Sequence, residues 1–584
     1  MSGAEGVARH GGDEVVEVLA QRGVETLFTL CGGHISPILV AAKARGLRVV
    51  DTRHEASAVF AADATARLTG IPGVAAVTAG PGLTNVATAV ENARLAQSPV
   101  VVLGGATATV LKGRGSLQDI DQQAVAGPLF KWQGRPRRVR ELAPAIAEAL
   151  WRAQEGVPGP VFVECPVDLL YPEALVREWY GVAQPLARPS LAQRLERGYL
   201  SLHLARTFAG RGAHDAPTPV APSPPRADRW AVARAARVLA RAERPVLVVG
   251  SQATLDPGGI AALVAAVERL GLPVWLSGMA RGLLGASHPL LFRHRRKEAL
   301  KEADFVLLAG VPCDFRLDYG RSIARRATIA AANRDRVDLT RNRAPRIAAH
   351  GDPALFLRAL AERAAPRERG DWLARIGARE AARETAIAEQ AAAPGVGGVN
   401  PLRLLRELDA FLDERAVLVA DGGDFVGTAS YVVRARSPLG WLDPGVFGTL
   451  GVGGGFALGA RLARPGAETW ILYGDGSVAF SLAEFDTFAR HGVPVIALVG
   501  NDRSWGQIAR EQVPALGDAI GTELAATAYE RAAEGLGGRG LRIERPEEIG
   551  PAFERARAWA AQGEPVLINA MLSASEFRQG SISL

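Results

Sequence analysis

Residues 470–477 read Trp-Ile-Leu-Tyr-Gly-Asp-Gly-Ser, and residues 493–502 read Val-Pro-Val-Ile-Ala-Leu-Val-Gly-Asn-Asp. Each run is mostly apolar and predicts a buried strand, and the first run ends at a Gly-Asp-Gly corner. We predict one helix from Ser477 to Arg490 between the two strands. Because open parallel sheets bind ligands at the carboxyl ends of their strands, Asp475 and Asn501 are expected at a binding site.

The residue types at this edge suit a hard cation. Asp475 and Asn501 offer oxygen ligands, and Gly474 and Gly476 allow close approach of the backbone. Mg²⁺ prefers oxygen ligands and leaves its other positions to water and phosphates, so these residues favour a diphosphate bridged through Mg²⁺. Two ordinary turns of an α/β domain would give a similar pattern, and the Asn after the second strand favours the binding site.

Composition limits the classes of function. The 584 residues carry a net charge of +7 with a pI near 9.6. A basic balance fits nucleic acid, a membrane surface or anionic small molecules. No nucleic-acid motif is present, so we expect no nucleic-acid partner. Phosphorylated cofactors, acyl-CoA substrates or a solvated surface explain the charge more simply.

The cellular location of the protein is predicted from its N-terminal residues, its hydropathy and the spacing of its cysteines. Residues 1–13 are polar and glycine-rich, unlike a signal peptide. No apolar run is long enough for a transmembrane helix, so we expect no membrane partner. Cys31, Cys165 and Cys313 are far apart and have no metal-site spacing, which fits a reducing compartment. These features predict a cytoplasmic protein.

Strands alternate with helices along most of the chain, which predicts three doubly wound parallel-sheet α/β domains. Residues 191–208 are expected to form a short helix, and the proline-rich run 217–225 reads as an extended linker. The predicted segments are a first domain 1–185, a linker 186–228, a central domain 229–365, a helical connector 366–399 and a third domain 400–584.

Two sets of residues resemble a known family. The run from Gly474-Asp475-Gly476-Ser477 to Asn501-Asp502 resembles the thiamine-diphosphate motif, although Gly500 replaces its first Asn. Arg53-His54-Glu55, followed by the run from Gly80 to Asn85, resembles the pyrimidine-binding domain of the acetolactate synthase superfamily. The resemblance implies pyrimidine-binding, central Rossmann-like and diphosphate-binding domains, with thiamine diphosphate and Mg²⁺ as cofactors.

The resemblance also assigns catalytic roles. Glu55 matches the family's carboxyl that hydrogen-bonds the aminopyrimidine and activates the cofactor, whereas alone it reads as a helix N-terminal carboxylate. His34 matches the mouth of the active site, where it would hold a substrate oxygen; a capping or exposed histidine is the alternative. Gln118 matches a glutamine of the substrate channel, and a loop amide is its alternative.

Further roles follow from the same resemblance. Leu450 would wedge under the cofactor, and the Gly448 carbonyl would accept a hydrogen bond from its amino group. Asp475, Asn501 and the backbone carbonyl of Arg503 would hold the metal. The cofactor-binding residues implied are Glu55, Asn85, Gly423, Asp424, Gly448, Leu450, Gly474, Asp475, Gly476, Ser477 and Asn501.

The central domain lacks a Gly-x-Gly-x-x-Gly fingerprint, so dinucleotide binding is not indicated by the residues themselves. Relatives hold FAD, ADP or nothing in this domain. Arg316 lies where flavin-binding relatives place an arginine. The basic run 293–297 is either a charged helix face or a contact for a nucleotide phosphate of CoA.

The whole pattern is most similar to the branch of the superfamily that cleaves 2-hydroxyacyl-CoA to an aldehyde and formyl-CoA. One alternative is carboligation of 2-oxo acids, as in acetolactate synthases, but residues 507–517 lack the tryptophan usual there. The other alternative is a non-catalytic scaffold, which would not need Glu55. Because the family binds its cofactor between subunits, a homodimer or homotetramer is expected, with Glu55 and Asp475 on different domains.

Overall fold

The computed structural model describes residues 9–184, 188–210, 220–365 and 367–579. The chain forms two compact units, one of residues 1–66 and 71–222 and the other of residues 67–70 and 223–584. No helix within these described ranges is both long and apolar enough to cross a membrane.

The first unit contains a six-stranded parallel sheet in the order β2-β1-β3-β4-β6-β5. Its central strands are buried along their whole length because helices cover both faces, which explains their runs of valine and alanine. The strands are β1 Thr26–Thr29, β2 Arg48–Asp51, β3 Gly73–Val77, β4 Val100–Ala106, β5 Trp132–Gly134 and β6 Val161–Pro166. The helices are α1 Gly11–Gln21, α2 Ser36–Arg45, α3 Glu55–Thr69, α4 Pro81–Thr84, α5 Ala87–Leu95, α6 Gln122–Ala126, α7 Leu142–Gln154, α8 Val167–Leu170, α9 Glu173–Trp179 and α10 Leu191–Phe208.

Helix α10 lies within the predicted linker and belongs to the first unit. Ser190 caps its first turn by accepting a hydrogen bond from Gln193 N–H at 3.3 Å. Leu204 and Phe208 join the core of the first unit. The predicted helix over residues 191–208 is therefore confirmed, whereas residues 217–219 of the proline-rich run lie outside the described residues.

The second unit begins with a five-stranded parallel sheet in the order β11-β10-β9-β7-β8. Its strands are β7 Pro245–Val249, β8 Val274–Leu276, β9 Phe305–Ala309, β10 Thr328–Asn333 and β11 Ile347–His350. Its helices are α11 Arg229–Leu239, α12 Ile260–Leu270, α13 Arg296–Glu302, α14 Arg336–Thr340 and α15 Pro353–Arg363, followed by the long α16 Gly370–Ala392 in the predicted connector.

The third sheet, also parallel and in the second unit, has the order β13-β12-β14-β15-β17-β16. Its strands are β12 Val417–Ala420, β13 Trp441–Leu442, β14 Thr469–Gly474, β15 Ile496–Asn501, β16 Arg539–Ile543 and β17 Val566–Met571. Its helices are α17 Pro401–Phe411, α18 Asp424–Val432, α19 Val452–Ala463, α20 Asp475–Val478, α21 Glu484–His491, α22 Gly506–Leu516, α23 Tyr529–Gly535 and α24 Ile549–Ala561. Three parallel sheets with interleaved helices confirm the predicted fold class.

The single helix predicted from Ser477 to Arg490 is wrong, because α20 and α21 are separated by a turn. Ser481 lies in that turn, and its hydroxyl accepts a hydrogen bond from Gly454 N–H at 3.2 Å. The same hydroxyl lies 2.9 Å from the Tyr473 hydroxyl. These side-chain contacts compete with continued helix and hold the turn against the sheet.

Candidate active site

A cavity of about 800 Å³ opens at the carboxyl ends of β12, β14 and β15. The loops that follow these strands line it, as expected for a parallel sheet. The predicted cofactor-binding residues in its wall are Gly423, Asp424, Gly448, Leu450, Gly474, Asp475, Gly476 and Ser477. The structure therefore brings together segments that are far apart in sequence.

Glycine is required where Leu450 meets the loop after β12. A Cβ on Gly422 would lie 2.2 Å from Leu450 Cδ2, far inside van der Waals contact. The next residue, Gly423, has φ +103°, which disfavours any residue with a side chain. The loop thus passes directly beneath Leu450, whose side chain remains in the wall of the cavity.

Asp421 organises the glycine-rich start of α19, and sequence reasoning missed it. The N–H groups of Gly451 and Gly453 donate to its two carboxylate oxygens at 2.9 and 2.6 Å. Burial raises the pKa of Asp421 to about 7. Its position directly after a buried strand and before two glycines was the available sequence signal.

Two carboxylates converge in the wall of this cavity. Ser504 N–H donates to Asp475 Oδ2 and to Asp502 Oδ1, at 3.2 Å in each case. Burial raises the pKa of Asp475. Burial, with the charges of Asp475 and Asp424, raises the pKa of Asp502 to about 7. Desolvated carboxylates that repel one another form a donor set that a divalent cation would neutralise.

Asn501 is the buried last residue of β15 and is not among the residues in the cavity wall, and its role as a metal ligand stays a prediction. Its Nδ2 donates to Asn569 Oδ1 at 3.1 Å and to the Thr527 carbonyl at 3.3 Å. Its Oδ1 is buried without a hydrogen-bond partner in the described part of the chain. An unpartnered buried amide oxygen at the carboxyl end of a parallel strand is an atom that a bound metal ion would satisfy.

Arg503 is also absent from the cavity wall. Its side chain is exposed, and its backbone carbonyl accepts a hydrogen bond from Leu524 N–H at 2.8 Å. The chain turns sharply here, with φ +60° at Arg503. Asp502 and Ser504, on either side, line the cavity, and the metal role of the Arg503 carbonyl stays a prediction.

In the first unit, Glu55 and Asn85 form a direct pair. Glu55 is the first residue of α3 and is buried. Asn85 Nδ2 donates to Glu55 Oε2 at 3.0 Å. The second carboxylate oxygen can therefore share a proton with a ligand while the first is held in place.

His34 and Gln118 make separate contacts within the first unit. His34 Nδ1 lies 3.2 Å from Thr78 Oγ1, and burial lowers the pKa of His34, which favours the neutral imidazole. Gln118 has a left-handed backbone with φ +62°. Its carbonyl would lie only 2.7 Å from a Cβ on Gly80, so the loop carrying Gln118 packs directly on that glycine.

Gln122 and Glu164 support this loop and were not found from the sequence. Gln122 Oε1 accepts from Gly80 N–H at 3.1 Å, and its Nε2 donates to the Gly105 carbonyl at 3.0 Å. Glu164 is buried and accepts from Lys112 Nζ at 2.5 Å. No local pattern marks either residue, because their partners come from distant segments.

Three family descriptions match this chain. "Thiamine pyrophosphate enzyme, N-terminal TPP binding domain" covers residues 9–125, and the corresponding central domain covers residues 232–360. "Thiamine pyrophosphate enzyme, C-terminal TPP binding domain" covers residues 421–570. The chain belongs to the thiamine pyrophosphate enzyme family.

Relatives of this thiamine pyrophosphate enzyme extend over its full length. Proteins named 2-hydroxyacyl-CoA lyase 2 from Bos taurus and Homo sapiens are 50% and 49% identical to it, each over 99% of this chain and 92% of their own length. A probable acetolactate synthase from Mycobacterium bovis is 35% identical over 97% of this chain and 96% of its own length.

The two terminal binding domains of this thiamine pyrophosphate enzyme contain the sites described above. Glu55, Asn85, His34 and Gln118 fall within the N-terminal match. The glycine loops and the converging carboxylates fall within the C-terminal match. A glycine-lined wall beside two carboxylates fits a diphosphate and its metal ion.

Proposed function

We propose that the chain is a thiamine-diphosphate- and Mg²⁺-dependent carbon–carbon lyase that cleaves a 2-hydroxyacyl-CoA to an aldehyde and formyl-CoA. The observation that carries the proposal is near-50% identity over 99% of the chain to proteins named 2-hydroxyacyl-CoA lyase 2. The catalytic residues expected of a thiamine-diphosphate enzyme are present, which supports an enzyme rather than a scaffold.

The residues proposed to hold the diphosphate and its metal ion lie in the C-terminal binding domain. Gly423 and Ser477, which line the cavity, would meet the diphosphate, and Leu450 would support the bend between the two rings. Asp475, Asn501 and the Arg503 carbonyl would hold Mg²⁺, since Asn501 Oδ1 is buried without a partner in the described residues. Asp502 would be a further oxygen ligand, because its carboxylate and that of Asp475 converge on Ser504 N–H. When bound, thiamine diphosphate supplies a carbon nucleophile and an electron sink for carbon–carbon cleavage.

The reaction breaks the bond between the thioester carbon and the hydroxyl-bearing carbon of the substrate. The hydroxyl proton leaves as the aldehyde forms, and the thioester carbon gains a proton to become formyl-CoA. Glu55, fixed by Asn85, would move a proton at the pyrimidine ring. Neutral His34 and Gln118 would orient the substrate hydroxyl.

A second candidate is acetolactate-type carboligation of 2-oxo acids, which the 35% identity to a probable acetolactate synthase supports. The absence of tryptophan from residues 507–517 argues against it. The homodimeric or homotetrameric state and the cytoplasmic location remain predictions. Sedimentation of active protein as a monomer would contradict the predicted assembly.

Substrate choice tests the proposal. Purified protein supplied with thiamine diphosphate and Mg²⁺ would receive a 2-hydroxyacyl-CoA and pyruvate in parallel reactions. Aldehyde from the thioester and no acetolactate from pyruvate is the expected result. Acetolactate from pyruvate alone would move the chain to the synthase branch.

A further inference from the structure

A second cavity, of about 710 Å³, lies in the second unit and is strongly basic. Seven arginine and lysine residues line it, together with only two acidic residues, Glu298 and Asp318. The basic residues are Arg293, Arg295, Arg296, Lys297, Lys301, Arg316 and Arg383. They come from the segment around α13, from the segment after β9 and from α16. Folding therefore brings together positive charges that are separated in the sequence.

Three of these cations have no carboxylate partner. Arg296, Lys301 and Arg383 make no ion pair within the described ranges. Arg296 donates to the Arg316 carbonyl at 2.6 Å. Burial and the neighbouring cations lower the pKa of Arg296 to about 10, so its charge is destabilised where it stands. An anionic ligand would relieve this repulsion.

Aromatic rings complete the wall. Phe315 and Tyr431 line the cavity and are both exposed, and Phe315 offers a face on which a purine could stack. The Arg578 guanidinium already lies 5.5 Å from the centre of the Tyr431 ring, so a purine on Tyr431 would use its other face. The C-terminal segment packs beside them, with Phe577 6.1 Å from the Tyr431 ring and 5.0 Å from the Arg383 guanidinium. Phosphate-binding cations and stacking surfaces therefore occur together.

The basic cavity adjoins the candidate active-site cavity. Phe315 lines both of them. Helix α18 contributes Ser430 to the active-site cavity and Tyr431 to the basic cavity. A ligand with its phosphates in the basic cavity could thus extend a flexible arm toward the carboxylates.

We propose that the basic cavity binds the 3′-phosphorylated ADP portion of the CoA thioester, while the pantetheine arm carries the reacting carbonyl past Phe315. This inference rests on the proposed function, because it assigns a subsite to that substrate. Arg383 and Lys301, which have no carboxylate partners, contact the phosphates, and Phe315 or Tyr431 stacks on the adenine.

The test is calorimetric titration of CoA, dephospho-CoA and ADP into the full-length protein. The variant is Lys301→Gln/Arg383→Gln, and the matched control is Arg415→Gln/Arg545→Gln, whose arginines are exposed and lie outside the cavity. We expect the variant to weaken CoA binding at least about tenfold and the control to leave it unchanged. Dephospho-CoA should bind wild-type protein more weakly than CoA. Thermal unfolding of both variants verifies that they remain folded.

The possible failures are distinguishable. If wild-type protein binds CoA and the variant binds it equally well, the subsite is wrong and the proposed lyase function stands. If wild-type protein binds no CoA and converts pyruvate, both proposals fall. If ADP or FAD binds stoichiometrically and CoA does not displace it, the cavity holds a separate nucleotide and the inference is overturned.

Discussion

Asp475 and Asp502 accept hydrogen bonds from the same backbone N–H, that of Ser504, at 3.2 Å each. The two carboxylates are therefore fixed side by side in the wall of the glycine-lined cavity. This arrangement places two carboxyl groups with raised pKa values where the proposed metal–diphosphate complex would bind, and a bound cation would favour their charged forms.

Asp502→Ala should raise the Mg²⁺ concentration needed for thiamine-diphosphate binding at least about tenfold, because it removes one of two converging oxygen ligands. Cofactor fluorescence quenching against Mg²⁺ concentration measures this. Arg503→Gln is the matched control, since that neighbouring side chain is exposed and lies outside the cavity. Equal Mg²⁺ requirements in wild-type and Asp502→Ala protein would remove Asp502 from the metal site.

Glu55→Gln should lower kcat by about 100-fold or more, because an amide cannot share the proton that a carboxyl group moves. Cofactor binding should persist, since Asn85 can still hydrogen-bond the remaining side-chain oxygen. Steady-state turnover and cofactor titration measure the two effects separately. Glu25→Gln, at an exposed position of the same unit, should behave like wild type. Full turnover in Glu55→Gln would refute the assigned role.

Gly422→Ala should lower the free energy of unfolding by roughly 1–3 kcal/mol, because its Cβ would lie 2.2 Å from Leu450 Cδ2. Gly422→Ala/Leu450→Ala removes the clash and should be more stable than the sum of the single changes predicts. Denaturant unfolding of the single and double variants gives the coupling energy. Gly466→Ala, where nothing lies near the added Cβ, is the control. Strict additivity would contradict the packing described here.

Asp421 should make stability fall as pH rises from the ordinary aspartate range near 4 toward 7. Burial raises its folded pKa to about 7, so the folded protein binds the proton more tightly than the unfolded chain. The stabilising contribution is present at low pH and is lost as pH approaches the folded pKa. The difference in unfolding free energy between wild type and Asp421→Asn should therefore decrease over this interval and level off above it. A difference that does not vary with pH would show that folding leaves the pKa of Asp421 unchanged, and would contradict this account.

The sequence pattern predicted Asp475 and Asn501 at the carboxyl ends of two strands, and in the structure the neighbouring strands β14 and β15 end at Gly474 and Asn501. Gly500 packs on Phe425, where a Cβ would lie 2.3 Å from the ring, so this side of β15 faces α18 and the cavity. Asn501 Oδ1 is buried without a partner in the described residues, and Asp502 follows after the strand has ended. The face of the sheet toward which each β15 side chain points depends on that packing. A motif in the linear sequence does not contain this information.

The basic cavity shows a different limit of sequence reasoning. The run at residues 293–297 is visible in the sequence, but Lys301, Arg316 and Arg383 join it only through folding. Several cations of the run have nearby carboxylates, such as the pair of Lys297 with Asp318 at 3.8 Å, which joins distant segments. Whether a basic run is neutralised or exposed to a ligand depends on these long-range contacts, so the sequence left both interpretations open.

The most direct test of the central claim follows the carbon atoms of a 2-hydroxyacyl-CoA labelled with ¹³C at the thioester carbon. Protein supplied with thiamine diphosphate and Mg²⁺ would be incubated with it, and the products followed by NMR and mass spectrometry. The proposed function predicts all label in formyl-CoA and the formate it hydrolyses to, with unlabelled aldehyde released in equal amount. Intact labelled thioester, with pyruvate converted to acetolactate by the same preparation, would contradict it.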